Sequence, residues 1–216
     1  MSRPIGILGG TFDPVHHGHL RMAIECYEQL GLEEVRFIPL KTPPHRQKPV
    51  ANPELRLAML NLAINNIRGL TIDKCELQRE DVSYTIDTVK LIRAQIEDTP
   101  LCLLLGTDAF RWLYTWKNWE SLLDFVHIVV AERLGQQPGT LNPELTQLLA
   151  NHKTDQVDDL KNRPAGKIFE IRIPSLDISA TRIREIFKNN ENPAFLLPDE
   201  VINYIYTNNI YQKAEP

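Results

Sequence analysis

The sequence has no apolar run near the ~20 residues needed to span a bilayer. Its start, Met1-Ser2-Arg3-Pro4, leads directly into a strand-like segment, with no charged-then-apolar signal peptide. No membrane partner is expected. Positive charge is not in excess either. Against 28 Asp and Glu stand 24 Lys and Arg, a net charge of -4. That argues against a general nucleic-acid binder, which carries a basic footprint, but an anionic small substrate needs only local cations. Cysteine is scarce: Cys26, Cys75 and Cys102 are scattered and odd in number. They form neither a disulfide framework nor a metal-ligand set, and reduced thiols fit a cytoplasmic protein. There is no internal repeat and no low-complexity tract.

What is present suits one ordinary globular domain, 1–216. Hydrophobic residues make up 43% and charged residues 24%, so a core can form without disulfides. Pro4 to Leu8 reads as a strand ending in the turn Gly9-Gly10. A helix follows from about Gly18, with Leu20, Ala23, Ile24, Tyr27 and Leu30 on one face and Gly31 to end it. Val35 to Ile38 is a second strand. Asn52-Pro53 starts a helix that should bury Leu55, Ala58, Met59 and Leu62. A third strand runs over Leu70 to Asp73, and Ser83 looks like the N-cap of a helix carrying Ile86, Val89 and Ile96. Leu101 to Leu105 is continuously apolar, as a central parallel strand buried on both faces must be. Val126 to Ala131 and Lys167 to Ile173 complete the strands. Helices are expected near Pro143 to Ala150, from Ser179 to Phe187 and from Pro198. Alternating strands and helices imply an α/β fold, a doubly wound and mainly parallel Rossmann-like sheet with a C-terminal helical segment from about 179. Ligands in such folds lie beyond the carboxyl ends of the strands, where the Gly9-Gly10 turn falls.

That turn lacks both G-x-G-x-x-G and G-x-x-x-x-G-K-[ST], so neither the dinucleotide fingerprint nor the P-loop applies. The segment Gly9-Gly10-Thr11-Phe12-Asp13-Pro14-Val15-His16-His17-Gly18-His19 instead surrounds a helix start with histidines. Backbone N–H groups, the helix N-terminus and imidazole donors together suit a phosphate. Three histidines in four positions also suit a metal, but no H-E-x-x-H pattern and no Cys/His/Asp cluster completes a ligand set. His17 is expected beside the pocket rather than acting in it. A second such helix start is Ile178-Ser179-Ala180-Thr181-Arg182-Ile183-Arg184. One hydroxyl there would be a plain N-cap; two hydroxyls with two arginines fit a second anion site.

Gly9-Gly10-Thr11-Phe12-Asp13-Pro14 with His16-x-Gly18-His19 resembles the signature of the H-x-G-H nucleotidyltransferase superfamily, and Ser179, Thr181 and Arg184 match its S-x-T-x-x-R motif. The resemblance implies that His16 and His19 hold the ATP phosphates and stabilise the transferring α-phosphoryl group. Gly9, Gly10, Thr11, Phe12, Ser179, Thr181 and Arg184 would complete the ATP site. Pro43-Pro44-His45-Arg46, Ser83-Tyr84-Thr85, Gly106-Thr107-Asp108, Trp116 and Leu196-Leu197-Pro198 are similar, in order, to the bacterial nicotinate mononucleotide adenylyltransferases.

Physically, Trp116 offers a stacking face and Thr85 a hydroxyl for a flat ring bearing a carboxylate. The resemblance adds backbone N–H groups near Trp116 and Lys117, Asp108 for ribose hydroxyls, and His45, with Lys41 and Arg46 beside it, for the acceptor phosphate. Arg133 departs from the pattern, since Leu134 stands where the family usually has proline and the fixed φ is lost. The expected partners are ATP, with Mg²⁺ carried on it, and nicotinate mononucleotide. Rival readings are an adenylyltransferase for nicotinamide mononucleotide or a phosphopantetheine, a non-catalytic nucleotide-binding regulator, and a metal protein.

Overall fold

A computed structural model describes residues 2–41, 48–79, 82, 84–133 and 140–212, with backbone alone at Arg133. Six strands, β1 (Ile5–Gly10), β2 (Glu34–Pro39), β3 (Leu70–Ile72), β4 (Leu101–Gly106), β5 (His127–Arg133) and β6 (Ile168–Ile173), form one sheet in the order β3-β2-β1-β4-β5-β6. All five pairings are parallel. The doubly wound α/β expectation therefore holds.

Helices α1 (His17–Gln29), α2 (Pro53–Ile64), α3 (Thr85–Ile96), α4 (Thr107–Arg111), α5 (Pro143–His152), α6 (Ala180–Lys188) and α7 (Asp199–Thr207) cover the two faces. The side-chain period of two divides each central strand between them. Leu8, Cys102 and Leu104 enter a core built with α1, α2, α6 and α7. Ile5, Ile7, Leu101, Leu103 and Leu105 enter the other, with α3, α4 and α5.

Local chemistry sets the helix ends. Asn52 caps α2 by accepting from the Leu55 N–H (2.8 Å), and Pro53 opens the helix. Ser179 caps α6 by accepting from the Arg182 N–H (3.2 Å). Gly31, with φ +61°, carries the chain out of α1 in a left-handed turn.

Three sequence expectations change. The N-cap of α3 is Tyr84, which makes no side-chain cap bond, and Ser83 lies outside the described residues. The strand expected from Val126 begins at His127 and runs on to Arg133. The buried face of α2 is Arg56, Met59, Leu60, Ala63 and Ile64, while Leu62 is exposed. This helix is apolar around much of its circumference, so spacing alone does not choose its inner face. A buried arginine does, as described below.

Candidate active site

Strand order reverses between β1 and β4, and the sheet opens there. β1 pairs with β2 from Ile5↔Glu34 to Gly10↔Pro39, but with β4 only from Ile5↔Leu101 to Ile7↔Leu103. Beyond that register the two carboxyl ends leave a crevice, the usual ligand position in open α/β sheets. Gly9 and Gly106 border it. A Cβ added at either would meet nothing within 4 Å.

The chain after β1 is packed tightly against this opening. Phe12 is 2% exposed with φ +50°. Its ring meets His19 edge-on, with centroids 5.2 Å apart, and leans on Phe37 at 5.5 Å. A Cβ on Gly10 would come within 2.8 Å of the Phe12 ring, so glycine is what allows the ring to fold back. His16 is the N-cap residue of α1 in extended conformation, buried, and stacked on His19 at 3.7 Å. A Cβ on Gly18 would sit 3.0 Å from the His16 ring. Glycine between the histidines thus lets both imidazoles gather over one helix start. His17 goes elsewhere. Its N–H donates to the Leu196 carbonyl (3.0 Å), and its side chain lines a separate cavity of about 610 Å³ with Leu20, Arg21 and Ile24.

The second motif arrives at the same place. Arg184 Nη1 donates to the carbonyl of Asp13 at 2.7 Å, across 171 positions of sequence. The Ile178 carbonyl lies 3.7 Å from where a Gly18 Cβ would be. The starts of α1 and α6 therefore face one another. Arg184 Nη2 also donates to Thr181 Oγ1 (3.1 Å), which aims the guanidinium and the hydroxyl together. Ser179 Oγ accepts the capping bond, and its O–H proton can still be donated. Arg182 turns away, to Glu185 and Glu191.

Among the residues expected to bind the acceptor, Thr85 is the first residue of α3 and is half-buried. Lys117 Nζ sits 4.3 Å from the Tyr84 ring centroid and 3.3 Å from Asp87 Oδ2. This brings Thr85 and Trp116 to one region. Trp116 packs partly against the second core. Its own N–H donates to the Leu113 carbonyl (2.9 Å). Asp108 is exposed in the first turn of α4, whose N-cap is Gly106. Arg133 ends β5, its backbone paired with Ile173. His45 and Arg46 lie outside the described residues.

A cytidylyltransferase-like family model matches residues 7–186. A "Probable nicotinate-nucleotide adenylyltransferase" of Aeromonas hydrophila subsp. hydrophila is 45% identical over 214 residues, covering 99% of this chain and 100% of that one. A protein of the same name from Pseudomonas aeruginosa is 44% identical, covering 98% and 99%. This chain belongs to the nicotinate-nucleotide adenylyltransferase family. The solved Plasmodium falciparum nicotinic acid mononucleotide adenylyltransferase complexed with NaAD shares the fold, with a TM-score of 0.75, 18% identity and 97% of each chain covered.

Sequence reasoning passed over three residues of this adenylyltransferase that hold the site from beneath. Asp13 is 5% exposed. Its Oδ2 accepts from the Val50 N–H (2.8 Å), and its Oδ1 accepts from the Ala51 N–H (3.0 Å) and the Tyr211 hydroxyl (2.7 Å). Burial, reinforced by the Asp13 charge, pushes the Tyr211 phenol far above its ordinary range. Arg56 has no exposed surface, and its guanidinium donates to the carbonyls of Thr11 (2.6 Å), Ala51 (3.3 Å) and Lys41 (3.4 Å). Burial lowers its pKa, and Asp13 opposes that. The one signal in the sequence is that Arg56, Met59, Leu60 and Ala63 fall at i, i+3, i+4 and i+7, a stripe that the broadly apolar α2 does not make unique.

Burial pushes the thiols of Cys75 and Cys102 up to about 12, and that of Cys26 higher still. All three are protonated at neutral pH and are poor nucleophiles.

Proposed function

We propose that this chain transfers the adenylyl group of MgATP to nicotinate mononucleotide, giving nicotinate adenine dinucleotide and pyrophosphate, as a cytoplasmic step of NAD biosynthesis. The whole chain, 1–216, acts as one catalytic domain. The observation that carries this reading is the meeting of α1 and α6 through Arg184 and Asp13 at 2.7 Å. It gathers two imidazoles, two hydroxyls and a guanidinium at two helix N-termini, a set of donors suited to a polyphosphate.

A phosphate dianion is already nucleophilic, so no enzyme nucleophile is required. An oxygen of the acceptor's 5′-phosphate forms the new bond to the α-phosphorus. The α–β bridging bond breaks, and its electrons leave with pyrophosphate. His16 and His19 donate to the oxygens where charge gathers in the transition state, and Ser179, Thr181 and Arg184 take the β- and γ-phosphates. Gly9, Gly10, Thr11 and Phe12 shape the wall of the ATP site. Trp116 stacks on the pyridine ring, Thr85 with the backbone at Lys117 faces its carboxylate, and Asp108 the ribose. His45 and Arg133 take the acceptor phosphate. Among the described residues no three His, Cys, Asp or Glu gather as a metal-binding group, and Mg²⁺ in this reading enters on ATP, held by phosphate oxygens and water.

An acceptor panel tests this reading. Purified protein with MgATP should release pyrophosphate with nicotinate mononucleotide, and more slowly with the amide mononucleotide. Release with phosphopantetheine alone, or with no acceptor, overturns it. Chirally labelled ATP should react with inversion at the α-phosphorus; retention would require a covalent intermediate.

A further inference from the structure

Three segments must keep fixed spacing for in-line transfer: the turn that shapes the ATP site and the two ends of the segment between β2 and α2. Arg56 touches all three. Its Nη1 holds Thr11, while Nε and Nη2 hold Ala51 and Lys41, on either side of residues 42–47. Asp13 repeats the connection in opposite charge. Its carboxylate holds the N–H groups of Val50 and Ala51, and its carbonyl receives Arg184. Tyr211, near the other end of the chain, donates to the same carboxylate.

A buried charge is costly, and an apolar side chain at position 56 would pack α2 without it. A fork that spans three backbone carbonyls does what no apolar residue can. Lysine could carry the charge but could not reach the same three acceptors from a planar, fixed geometry.

We propose that Arg56 is a positioning residue for the transfer step, setting the distance between Thr11 in the ATP turn and the chain at Lys41 and Ala51, with Asp13 and Tyr211 holding the same joint from the other side. The inference rests on the adenylyl-transfer reading above. It assigns Arg56 no contact with substrate. Its signature is a loss in turnover that is not matched by loss of either substrate's own binding, because misplacement by about 1 Å can cost ~10²-fold in rate.

The test compares wild type, Arg56→Lys and Tyr211→Phe. For each, kcat for pyrophosphate release is measured, together with calorimetric Kd values for a non-hydrolysable ATP analogue alone and for nicotinate mononucleotide alone, and thermal unfolding. Arg56→Lys should lose ~10²-fold in kcat, with each separate Kd within about threefold of wild type. Tyr211→Phe removes one of three bonds to Asp13 and should lose a few-fold in kcat with the same pattern. If Arg56→Lys does not fold, Tyr211→Phe carries the test. A kcat within experimental error of wild type in the folded variant overturns the proposal. So do losses in kcat and both affinities that rise together with loss of folded protein, the mark of a purely structural role. Turnover of a different phosphorylated acceptor by the wild type would refute the acceptor assignment, and the same kcat-to-Kd comparison with that acceptor would still judge Arg56.

Discussion

The two sides of the crevice are joined by different physics. At the α1–α6 junction the Arg184 side chain is 27% exposed and meets the carbonyl of a buried residue, Asp13, whose carboxylate accepts three further hydrogen bonds from Val50, Ala51 and Tyr211. On the acceptor side, α3 meets the Trp116 turn through Lys117 and Asp87, whose side chains are 45% and 43% exposed. An ion pair in such surroundings contributes little, about 0–1 kcal/mol. In the proposed reaction charge develops on the ATP phosphates, and stabilising it requires donors fixed beforehand. The acceptor ring would change no bonds, so its partners would need only to select it.

Four substitutions would break or sharpen this contrast. The largest effect belongs to His19→Ala, which should lower kcat by ~10²–10³, the cost of one transition-state donor. Steady-state kinetics with a normal kcat would remove His19 from the chemistry. Next is Arg184→Ala, which forfeits a charge-assisted contact of about 1.5–3 kcal/mol. The KM for ATP should rise roughly tenfold to a hundredfold, with the Kd for the mononucleotide unaltered; a change confined to the mononucleotide would reverse the assignment of the two sides. Trp116→Ala should raise the KM for the mononucleotide about tenfold, the scale of one stacking contact, with ATP binding untouched. Equal loss for both substrates would mean a folding defect or a wrong site. Lys117→Ala should change any kinetic constant less than about threefold. A larger loss would show the exposed clasp to be as demanding as the α1–α6 junction.

The α1–α6 side was also the more readable in sequence. The glycines and histidines of residues 9–19 are adjacent in the chain, and each answers a local need. Gly10 clears the Phe12 ring and Gly18 clears His16, so their spacing carried the geometry directly. Ser179 capping α6 is equally local. Reading failed where side-chain burial depends on distant neighbours. Arg56 was not singled out, because its acceptors, Thr11, Lys41 and Ala51, lie outside the helix. Tyr211 gave no signal, since its partner Asp13 is 198 positions away. His127 looked like part of an apolar strand. It is fully buried between the Arg163 carbonyl (2.8 Å) and the Lys167 N–H (3.1 Å), and burial lowers its pKa so that the ring stays neutral.

The sequence by itself determined the alternation of strands and helices, the buried strand Leu101 to Leu105 and the two helix starts that carry histidines and hydroxyls. Each of these depends on residues within a few positions of one another, where period, capping and glycine chemistry act. Only the tertiary structure decided that the sheet opens between β1 and β4, that Arg184 of α6 meets the Asp13 carbonyl 171 positions away, and that Arg56 points inward. Those outcomes turn on which surfaces are withdrawn from water together and which carbonyls then need a donor, a choice made by the whole chain at once.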